Sequence, residues 1–369
     1  MKVRYSYLRQ QFSNAPDLWS NLKKFVKTGD FTLGKPLLEF ENKFAKLIGT
    51  KYAVGVNSGT DAIKLSLKVL GIKPGDEVIT AANTFVATVG AICELGAIPI
   101  FVDCDDSFCL DIRLLEKKIT KKTKAIVPVH FTGYMTNMIK LNKISKKYNI
   151  PIVEDACQSI LASINNKNAG TWSDFGAFSL HPLKNINVWS DGGVIVTSNK
   201  RYYEKLKLLR NHGLVDRDNV KICGYNSRLD TLQAVVGNWL IPNAKKIAKK
   251  RIKNANYYDK KLSKINGIFI PPRIKNYKIV YHLYIVFAKN RNDLYKYCLK
   301  KGIEAKIHYP IPMYRQPAMN FLKHKKGDFP VSDRHAKSII SFPCDQHLRK
   351  KEQDYVISTV KKFYSNKNK

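Results

Sequence analysis

The chain has 369 residues, 44% of them hydrophobic and 11% aromatic, which excludes an intrinsically disordered protein and suffices for two domains. No apolar run reaches the roughly 18–20 residues of a membrane span, so we expect no membrane partner. The formal charge of +35 at pH 7 raises the question of nucleic-acid binding.

The first half of the chain alternates predicted strands and helices. A strand over KYAVGVNS precedes a helix over 60–70, and PGDEVITAA precedes a helix over 84–95. Further short β-rich runs follow in IPIFVDCD, KAIVPVHF, IPIVEDA and GGVIVTS. This alternation predicts an α/β fold with a mostly parallel sheet between two layers of helices.

The pattern loosens after residues 211–213. A long basic helix is predicted from Pro242, followed by strands near YHLYIVFA and EAKIHY. We therefore expect an N-terminal segment and large domain over 1–240 and a smaller α+β domain over 241–369.

The basic residues are spread along the chain rather than gathered in one stripe. Runs occur in KKITKKTK, KKIAKKRIK, KHKK and KKFYSNKNK, and a helical projection of 243–262 places lysines around much of the circumference. A compositional bias of the proteome explains this more simply than a nucleic-acid surface, so we expect no nucleic-acid partner. A milder role is the electrostatic steering of an anionic small substrate.

The cysteines and the start of the chain indicate the compartment. Seven scattered cysteines form no evident disulfide framework and no zinc-ligand spacing, so we expect no metal site. The opening MKVRYSYLRQQFSNAP lacks the apolar centre of a secretory signal. Both features favour a cytoplasmic location.

Three stretches follow predicted strands, where α/β sheets bind ligands. In NSGTDA, Ser58, Gly59 and Thr60 offer phosphate-binding groups or an ordinary helix N-cap. In VEDACQ, Asp155 would be partly buried and either faces a positive ligand, pairs with an arginine or has a capping role. In FSLHPLK, Ser179 ends a strand, and Lys184 is either a reactive amine or one more solvated lysine.

The order of these stretches resembles the DegT/DnrJ/EryC1 family of sugar aminotransferases over roughly residues 30–345. The resemblance extends to GDFTLGKPLLEFE, VNSGTDAI, PGDEVITAANTFVAT, GAIPIFVD, VPVHFTG, VEDACQS, FSLHPLKN, DGGVIVT, RNHG, GYNSRLDTLQA and IHYPIPMYRQPA. It implies the PLP-transferase fold of type I and pyridoxal 5'-phosphate (PLP) as cofactor.

The resemblance also implies roles for individual residues. Lys184 matches the lysine that holds the cofactor covalently and moves the proton between carbons, and Asp155 matches the carboxylate facing the pyridine nitrogen. Gln158 matches the residue that binds the ring hydroxyl, and Phe85 the aromatic stacked on the ring. The residues matching the phosphate-binding groups are Ser58, Gly59, Thr60 and Ser179.

Asn226, in GYNSRLD, matches an asparagine that reaches the phosphate from the other subunit, so the resemblance implies a homodimer with shared active sites. On the substrate side, His308 and Tyr309 lie in IHYP, where His308 is a substrate contact or a core histidine. Trp189 is a substrate platform or a packing residue.

The implied activity is transfer of an amino group, from L-glutamate, to a nucleotide-linked keto sugar. The segments KN…DGG and IHYPIP favour a 3-keto-6-deoxy sugar of amino-sugar or polysaccharide biosynthesis. A related branch replaces the lysine with histidine and catalyses dehydration; Lys184 disfavours it, although His181 lies nearby. A non-enzymatic regulator or nucleic-acid binder on the same fold is the other alternative, and it has no use for the set of Lys184, Asp155 and Gln158.

Overall fold

A computed structural model describes residues 1–367. Its helices are α1 (Leu8–Phe12), α2 (Pro16–Val26), α3 (Lys35–Ile48), α4 (Gly59–Val69), α5 (Val86–Cys93), α6 (Ile112–Leu115), α7 (Met138–Tyr148), α8 (Lys200–Arg210), α9 (Thr231–Leu240), α10 (Ala244–Leu262), α11 (Arg291–Lys300), α12 (Pro330–Ser338) and α13 (Lys350–Lys367). Its strands are β1 (Tyr52–Val56), β2 (Glu77–Ala81), β3 (Ile98–Val102), β4 (Thr123–Val127), β5 (Val153–Asp155), β6 (Ser163–Ile164), β7 (Lys167–Asn168), β8 (Phe175–Ser179), β9 (Gly193–Thr197), β10 (Ile268–Phe269), β11 (Tyr277–Lys278), β12 (Tyr284–Ala288) and β13 (Ile339–Phe342).

The central sheet has the strand order β3-β2-β4-β5-β8-β9-β1. The groups β3-β2-β4 and β5-β8-β9-β1 are each hydrogen-bonded, and parallel bridges of Ile126 to Ile152 and Val129 to Asp155 join β4 to β5. Only β9 runs against its neighbours. The predicted mostly parallel sheet is therefore confirmed. Because β1, β5 and β8 are parallel, their carboxyl ends meet at one edge, which brings 57–60, Asp155 and Ser179 together.

The C-terminal part has its own antiparallel sheet, β10-β12-β13, and a hydrophobic cluster with residues from α10, α11 and α13. The chain start joins it: Val3 forms a bridge with Ile303, and the Tyr7 hydroxyl donates to Glu352 (3.0 Å). The first residues, assigned by sequence to the large domain, thus pack on the C-terminal one. The division at residue 240 stays a prediction.

The prediction of a strand near EAKIHY is wrong. Apart from a single bridge between Lys306 and Ser341, this segment is irregular. Its alternating pattern reflects one-sided burial against β13, since Ala305 is buried and Lys306 exposed. No helix within residues 1–367 combines the length and apolar character needed to cross a bilayer.

A buried ion pair between α3 and α8 holds β1 against these two helices. Glu41 on α3 pairs with Arg210 at the end of α8, and both side chains are less than a tenth exposed. Glu41 also accepts from the Gly55 N–H (2.7 Å), and Arg210 donates to the Gly55 carbonyl (2.9 Å). The pair therefore satisfies both backbone groups of one residue in the strand that leads to the site.

We expect Arg210→Ala to lower the free energy of unfolding by about 3–5 kcal/mol, because it leaves Glu41 buried without a cation. The matched control is Lys43→Ala, which breaks the exposed pair of Lys43 with Glu39 and should change stability by less than about 0.5 kcal/mol. Urea unfolding followed by circular dichroism measures both. Equal effects of the two substitutions would contradict a structural role for the buried pair.

Candidate active site

A cavity of about 330 Å³ lies at the carboxyl ends of β1, β5 and β8. Ten of the residues predicted from the sequence line it: Ser58, Gly59, Thr60, Phe85, Asp155, Gln158, Ser179, Lys184, His308 and Tyr309. Trp189 and Asn226 do not line it. Residues separated by up to 251 positions therefore meet in one space of a size suited to a cofactor and a small substrate.

Lys184 lies on a tight turn after β8. Its N–H donates to the His181 carbonyl (2.8 Å), and the Asn187 amide donates to the carbonyls of Lys184 (3.0 Å) and Pro182 (2.7 Å). Burial lowers the pKa of the Lys184 ammonium, while the nearby Cys157 and Asp155 oppose the shift. The site thus favours the neutral amine, which is the nucleophilic and proton-accepting form.

A chain of buried amide hydrogen bonds holds that turn in place. The Asn187 oxygen accepts from Gln11 on α1, the Gln11 oxygen accepts from Gln346, and the Gln346 oxygen accepts from Arg251 on α10, each at 2.8 Å. These hydrogen bonds connect the lysine turn with α1 and with the C-terminal part of the protein. None of these contacts was predicted, because each joins residues far apart in sequence.

Asp155 is held by two donors. Thr88 on α5 donates its hydroxyl to one carboxylate oxygen (2.7 Å), and the Cys157 N–H donates to the other (3.1 Å). Thr84 shares a further hydrogen bond with Thr88 (2.9 Å). The carboxylate is buried and faces the cavity without the arginine that the sequence left open, so it fits the protonated pyridine nitrogen of PLP.

Gln158 is oriented by the backbone. Its amide oxygen accepts from the Thr132 N–H (2.8 Å), which leaves the amide NH₂ as the donor group of the side chain. Gln158 lines the cavity. A donor there fits the ring hydroxyl oxygen of the cofactor.

The N-terminus of α4 lies at one corner of the cavity, where the sequence predicts phosphate binding. Gly59 begins this helix, and the Ser58 hydroxyl oxygen caps it by accepting from the Asp61 N–H (3.1 Å). A Cβ at Gly59 would lie 2.8 Å from Cβ of Ser179 and 2.9 Å from Sγ of Cys157. Only glycine allows the helix end and the end of β8 to approach this closely, so the corner fits a phosphate bound by backbone N–H groups.

Aromatic and imidazole side chains complete the walls. Phe85 is half exposed and its ring centre lies 6.1 Å from that of Tyr309. The His308 Nδ1 is hydrogen-bonded to the Ser341 hydroxyl (2.9 Å), and burial with the charges of Lys306 and Lys184 lowers its pKa to about 4. Burial, with the charge of Asp155, raises the pKa of Tyr309. Both rings are therefore neutral at pH 7.

Two predicted residues lie elsewhere. Trp189 packs against Phe12 and Trp19, whose ring centres lie 5.9 and 5.3 Å away. These contacts favour the packing role over the substrate platform. Asn226 lines a separate hollow with Phe31 and Arg228. In a single chain it does not reach the cavity.

Thr88, Cys157 and His282 also line the cavity and were missed by the sequence analysis. A signal for Thr88 was present, because Thr84 and Thr88 have helical spacing in NTFVAT just after a strand. For His282 the signal was a histidine within the apolar run YHLYIVFA. Within residues 1–367 no group of His, Cys, Asp and Glu side chains is arranged to hold a metal ion.

A buried lysine, a buried carboxylate and a glycine-started helix N-terminus at the carboxyl ends of one sheet are the set of groups expected of a PLP-dependent enzyme of fold type I. The model of the DegT/DnrJ/EryC1/StrS aminotransferase family matches residues 14–361, and the chain belongs to that family.

The chain is 34% identical to a pleiotropic regulatory protein of Geobacillus stearothermophilus over 99% of both chains. It is 34% identical to the dTDP-3-amino-3,4,6-trideoxy-alpha-D-glucose transaminase of Streptomyces venezuelae, covering 98% of this chain and 94% of the relative. The crystal structure of S. venezuelae DesV in complex with a ketimine intermediate superimposes with a TM-score of 0.96 at 33% identity, covering 98% of both chains. Other solved relatives are in PLP and PMP forms. The expected family, fold, cofactor and aminotransferase activity are confirmed.

We expect Thr88→Val to lower kcat about tenfold while KM for both substrates stays within about twofold. The substitution removes a hydrogen bond to a buried carboxylate, a contact worth about 1.5–3 kcal/mol, and leaves the predicted substrate residues His308 and Tyr309 unchanged. Thr88→Ser keeps the hydroxyl and should restore kcat. Steady-state kinetics with both substrates varied provides the measurement, and an unchanged kcat in Thr88→Val would refute the positioning role.

Proposed function

We propose that this enzyme transfers an amino group from L-glutamate to the keto group of a nucleotide-linked sugar. The observation that carries the proposal is the meeting of Lys184, Asp155 and Gln158 in one cavity, in a chain whose relatives include nucleotide-sugar transaminases. Their products are amino sugars, and we place this chain in amino-sugar or polysaccharide biosynthesis. Its seven cysteines are unpaired, which fits a reducing cytoplasm as its location.

Each side chain has a defined task in this reaction. When bound, PLP supplies an electron-withdrawing ring that stabilises negative charge on the carbon that loses its proton. The neutral amine of Lys184 accepts the proton from Cα of the donor and later delivers a proton to the sugar carbon. Asp155, fixed by Thr88, holds the ring nitrogen protonated, and Gln158 donates to the ring oxygen. Phe85 covers one face of the cavity.

The position of the keto group is proposed as C3. Several relatives act at this position by name, among them a dTDP-3-amino-3,6-dideoxy-alpha-D-galactopyranose transaminase and a UDP-N-acetyl-3-dehydro-alpha-D-glucosamine 3-aminotransferase. The dTDP sugars in these names are also deoxygenated at C6, which supports the 3-keto-6-deoxy substrate, whereas the UDP sugar is not.

The relative named as a pleiotropic regulatory protein supports the regulator alternative. A regulator on this fold would need no amine of lowered pKa and no carboxylate held by two donors, both of which this chain has. The dehydratase alternative replaces the lysine, and Lys184 lies in the cavity here. The aminotransferase is therefore the function we propose.

We also propose a homodimer with shared sites. Asn226 lines a hollow with Phe31 and Leu33, and Leu33 lines a neighbouring hollow with Val215. These three apolar side chains are 36–61% exposed, as expected of a surface that a second copy covers. The family resemblance sends Asn226 from this surface to the phosphate in the partner.

We expect Lys184→Ala to lose covalent cofactor attachment and to lose activity by on the order of 10³-fold or more. Borohydride reduction followed by mass spectrometry of the peptides identifies the attached lysine. Lys278→Ala is the matched control, because burial lowers the pKa of Lys278 as well but this residue lies outside the cavity. Attachment at any other lysine would overturn the assignment.

The shared site is tested by mixing two inactive chains, Lys184→Ala and Asn226→Ala. In a two-fold dimer each heterodimer has one site with both residues intact and one with both lost, so activity should return to about a quarter of the wild-type value at equal mixing. Subunit exchange is followed by native mass spectrometry with one chain isotope-labelled. If heterodimers form and the mixture stays inactive, Asn226 does not act across the interface.

A further inference from the structure

His308 lines the cavity, and the protein holds one of its two ring nitrogens. Its Nδ1 is hydrogen-bonded to the hydroxyl of Ser341 (2.9 Å), a buried residue of β13 that does not line the cavity. The backbone N–H of Ser341 donates to the Lys306 carbonyl (2.8 Å), and its carbonyl accepts from the Lys306 N–H (3.0 Å). The serine hydroxyl is therefore fixed by the sheet, and it orients the imidazole from the protein side.

The other ring nitrogen of His308, Nε2, is available to a ligand. No described residue forms a hydrogen bond with Nε2, and it does not belong to the buried polar atoms that lack a partner. Nε2 therefore keeps accessible surface. Because Nδ1 is directed at Ser341 and the residue lines the cavity, this surface belongs to the cavity.

The hydroxyl of Tyr5 determines which ring nitrogen carries the proton. This hydroxyl is buried without a hydrogen-bond partner among the described residues. Burial raises its pKa, while Arg251 and the Ser341 side chain oppose the shift, so the hydroxyls of Tyr5 and Ser341 lie close together. When Tyr5 directs its proton at Ser341 and Ser341 donates to Nδ1 of His308, both hydroxyl protons face an acceptor. The opposite direction leaves the buried phenol proton without one, so the network assigns the imidazole proton to Nε2.

The position of His308 in the cavity indicates what its Nε2–H contacts. Under the proposed function Asp155 faces the ring nitrogen of the cofactor, and Lys184 lies at the carbon where the amino group is exchanged. The charge of Lys184 contributes to the lowered pKa of His308, whereas the charge of Asp155 acts on Tyr309. His308 therefore lies towards the reacting carbon, and Tyr309 lies towards the ring nitrogen.

From this geometry we propose that the Nε2–H of His308 donates a hydrogen bond to the keto oxygen of the sugar, and that Ser341 and Tyr5 are positioning residues that keep the proton on Nε2. The inference rests on the proposed aminotransferase function. When an amine adds to the keto carbon, the oxygen gains negative charge. A neutral imidazole N–H stabilises this charge and keeps its own proton, so His308 acts as a hydrogen-bond donor and not as a general acid.

The first test measures which ring nitrogen of His308 carries the proton, by NMR of the holoenzyme with histidine rings labelled with nitrogen-15. The signals of His308 are assigned by their loss in His308→Gln. We expect a protonated Nε2 and an unprotonated Nδ1 in the wild type, and a mixture of the two tautomers in Ser341→Ala and in Tyr5→Phe. Tyr7→Phe is the matched control, because the Tyr7 hydroxyl donates to Glu352 instead, and it should leave these signals unchanged. A wild-type Nδ1–H, or an unchanged tautomer in Ser341→Ala, would overturn the proposal.

The second test follows the aminated enzyme with a dTDP-linked 3-keto-6-deoxy sugar by cofactor absorbance in single turnover. His308→Ala should lower the rate about a hundredfold, the loss expected when one donor to a developing negative oxygen is removed. The side-chain NH₂ of His308→Gln can occupy the place of Nε2 and should keep the rate within about tenfold of wild type, whereas His308→Asn places its amide near Nδ1 and should resemble His308→Ala. The Gln and Asn pair decides the matter if His308→Ala does not fold.

Two outcomes of the second test would overturn this inference alone. One is an equal rate in His308→Gln and His308→Asn. The other is a loss in His181→Ala as large as that in His308→Ala, because His181 is an exposed imidazole that also lies near Lys184. A wild-type enzyme that aminates no nucleotide-linked keto sugar would instead sink the proposed function, and this inference with it.

Discussion

The buried hydrogen-bond chain from Asn187 through Gln11 and Gln346 to Arg251 is the constraint on which the site depends. The three amides each donate and accept, Arg251 at the end of the chain of hydrogen bonds only donates, and all four side chains are buried. In a low-dielectric interior such a chain is stable only when it is complete, because any unsatisfied member pays the full cost of desolvation. The turn that carries Lys184 is thereby given one position relative to the C-terminal part of the chain.

In the proposed mechanism Asp155 and Gln158 keep fixed positions, and Lys184 is the group that reacts. Asp155 and Gln158 are each held by hydrogen bonds from neighbouring neutral groups, so their remaining polar atoms face the cavity in one orientation. Burial lowers the pKa of the Lys184 ammonium, which favours its neutral form. Because the surrounding dipoles are already oriented, little reorganisation is needed when charge moves during proton transfer.

Local sequence patterns sufficed for the central sheet and for the cavity residues at its strand ends, whereas the family resemblance supplied Phe85, Gln158, His308 and Tyr309. Ser58, Asp155 and Ser179 each follow a strand, and parallel strands bring their carboxyl ends to one edge whatever the rest of the chain does. The contact of Thr88 with Asp155 spans 67 residues, and no local pattern encodes it. Trp189 was ambiguous for the same reason, since its neighbours Phe12 and Trp19 come from the chain start.

The hydrogen bond between Gln11 and Gln346 joins residues 335 positions apart, which bears on the order in which the protein is completed during synthesis. Gln11 emerges from the ribosome early, yet its partner is made near the end of translation. The sheet can form beforehand from β1 to β9, as domains generally fold in the order of their synthesis. The lysine turn, however, stays without its last anchor until the C-terminal part has been released. A chain truncated after β9 would therefore carry Ser58, Asp155 and Lys184 while lacking the contacts that fix the lysine turn.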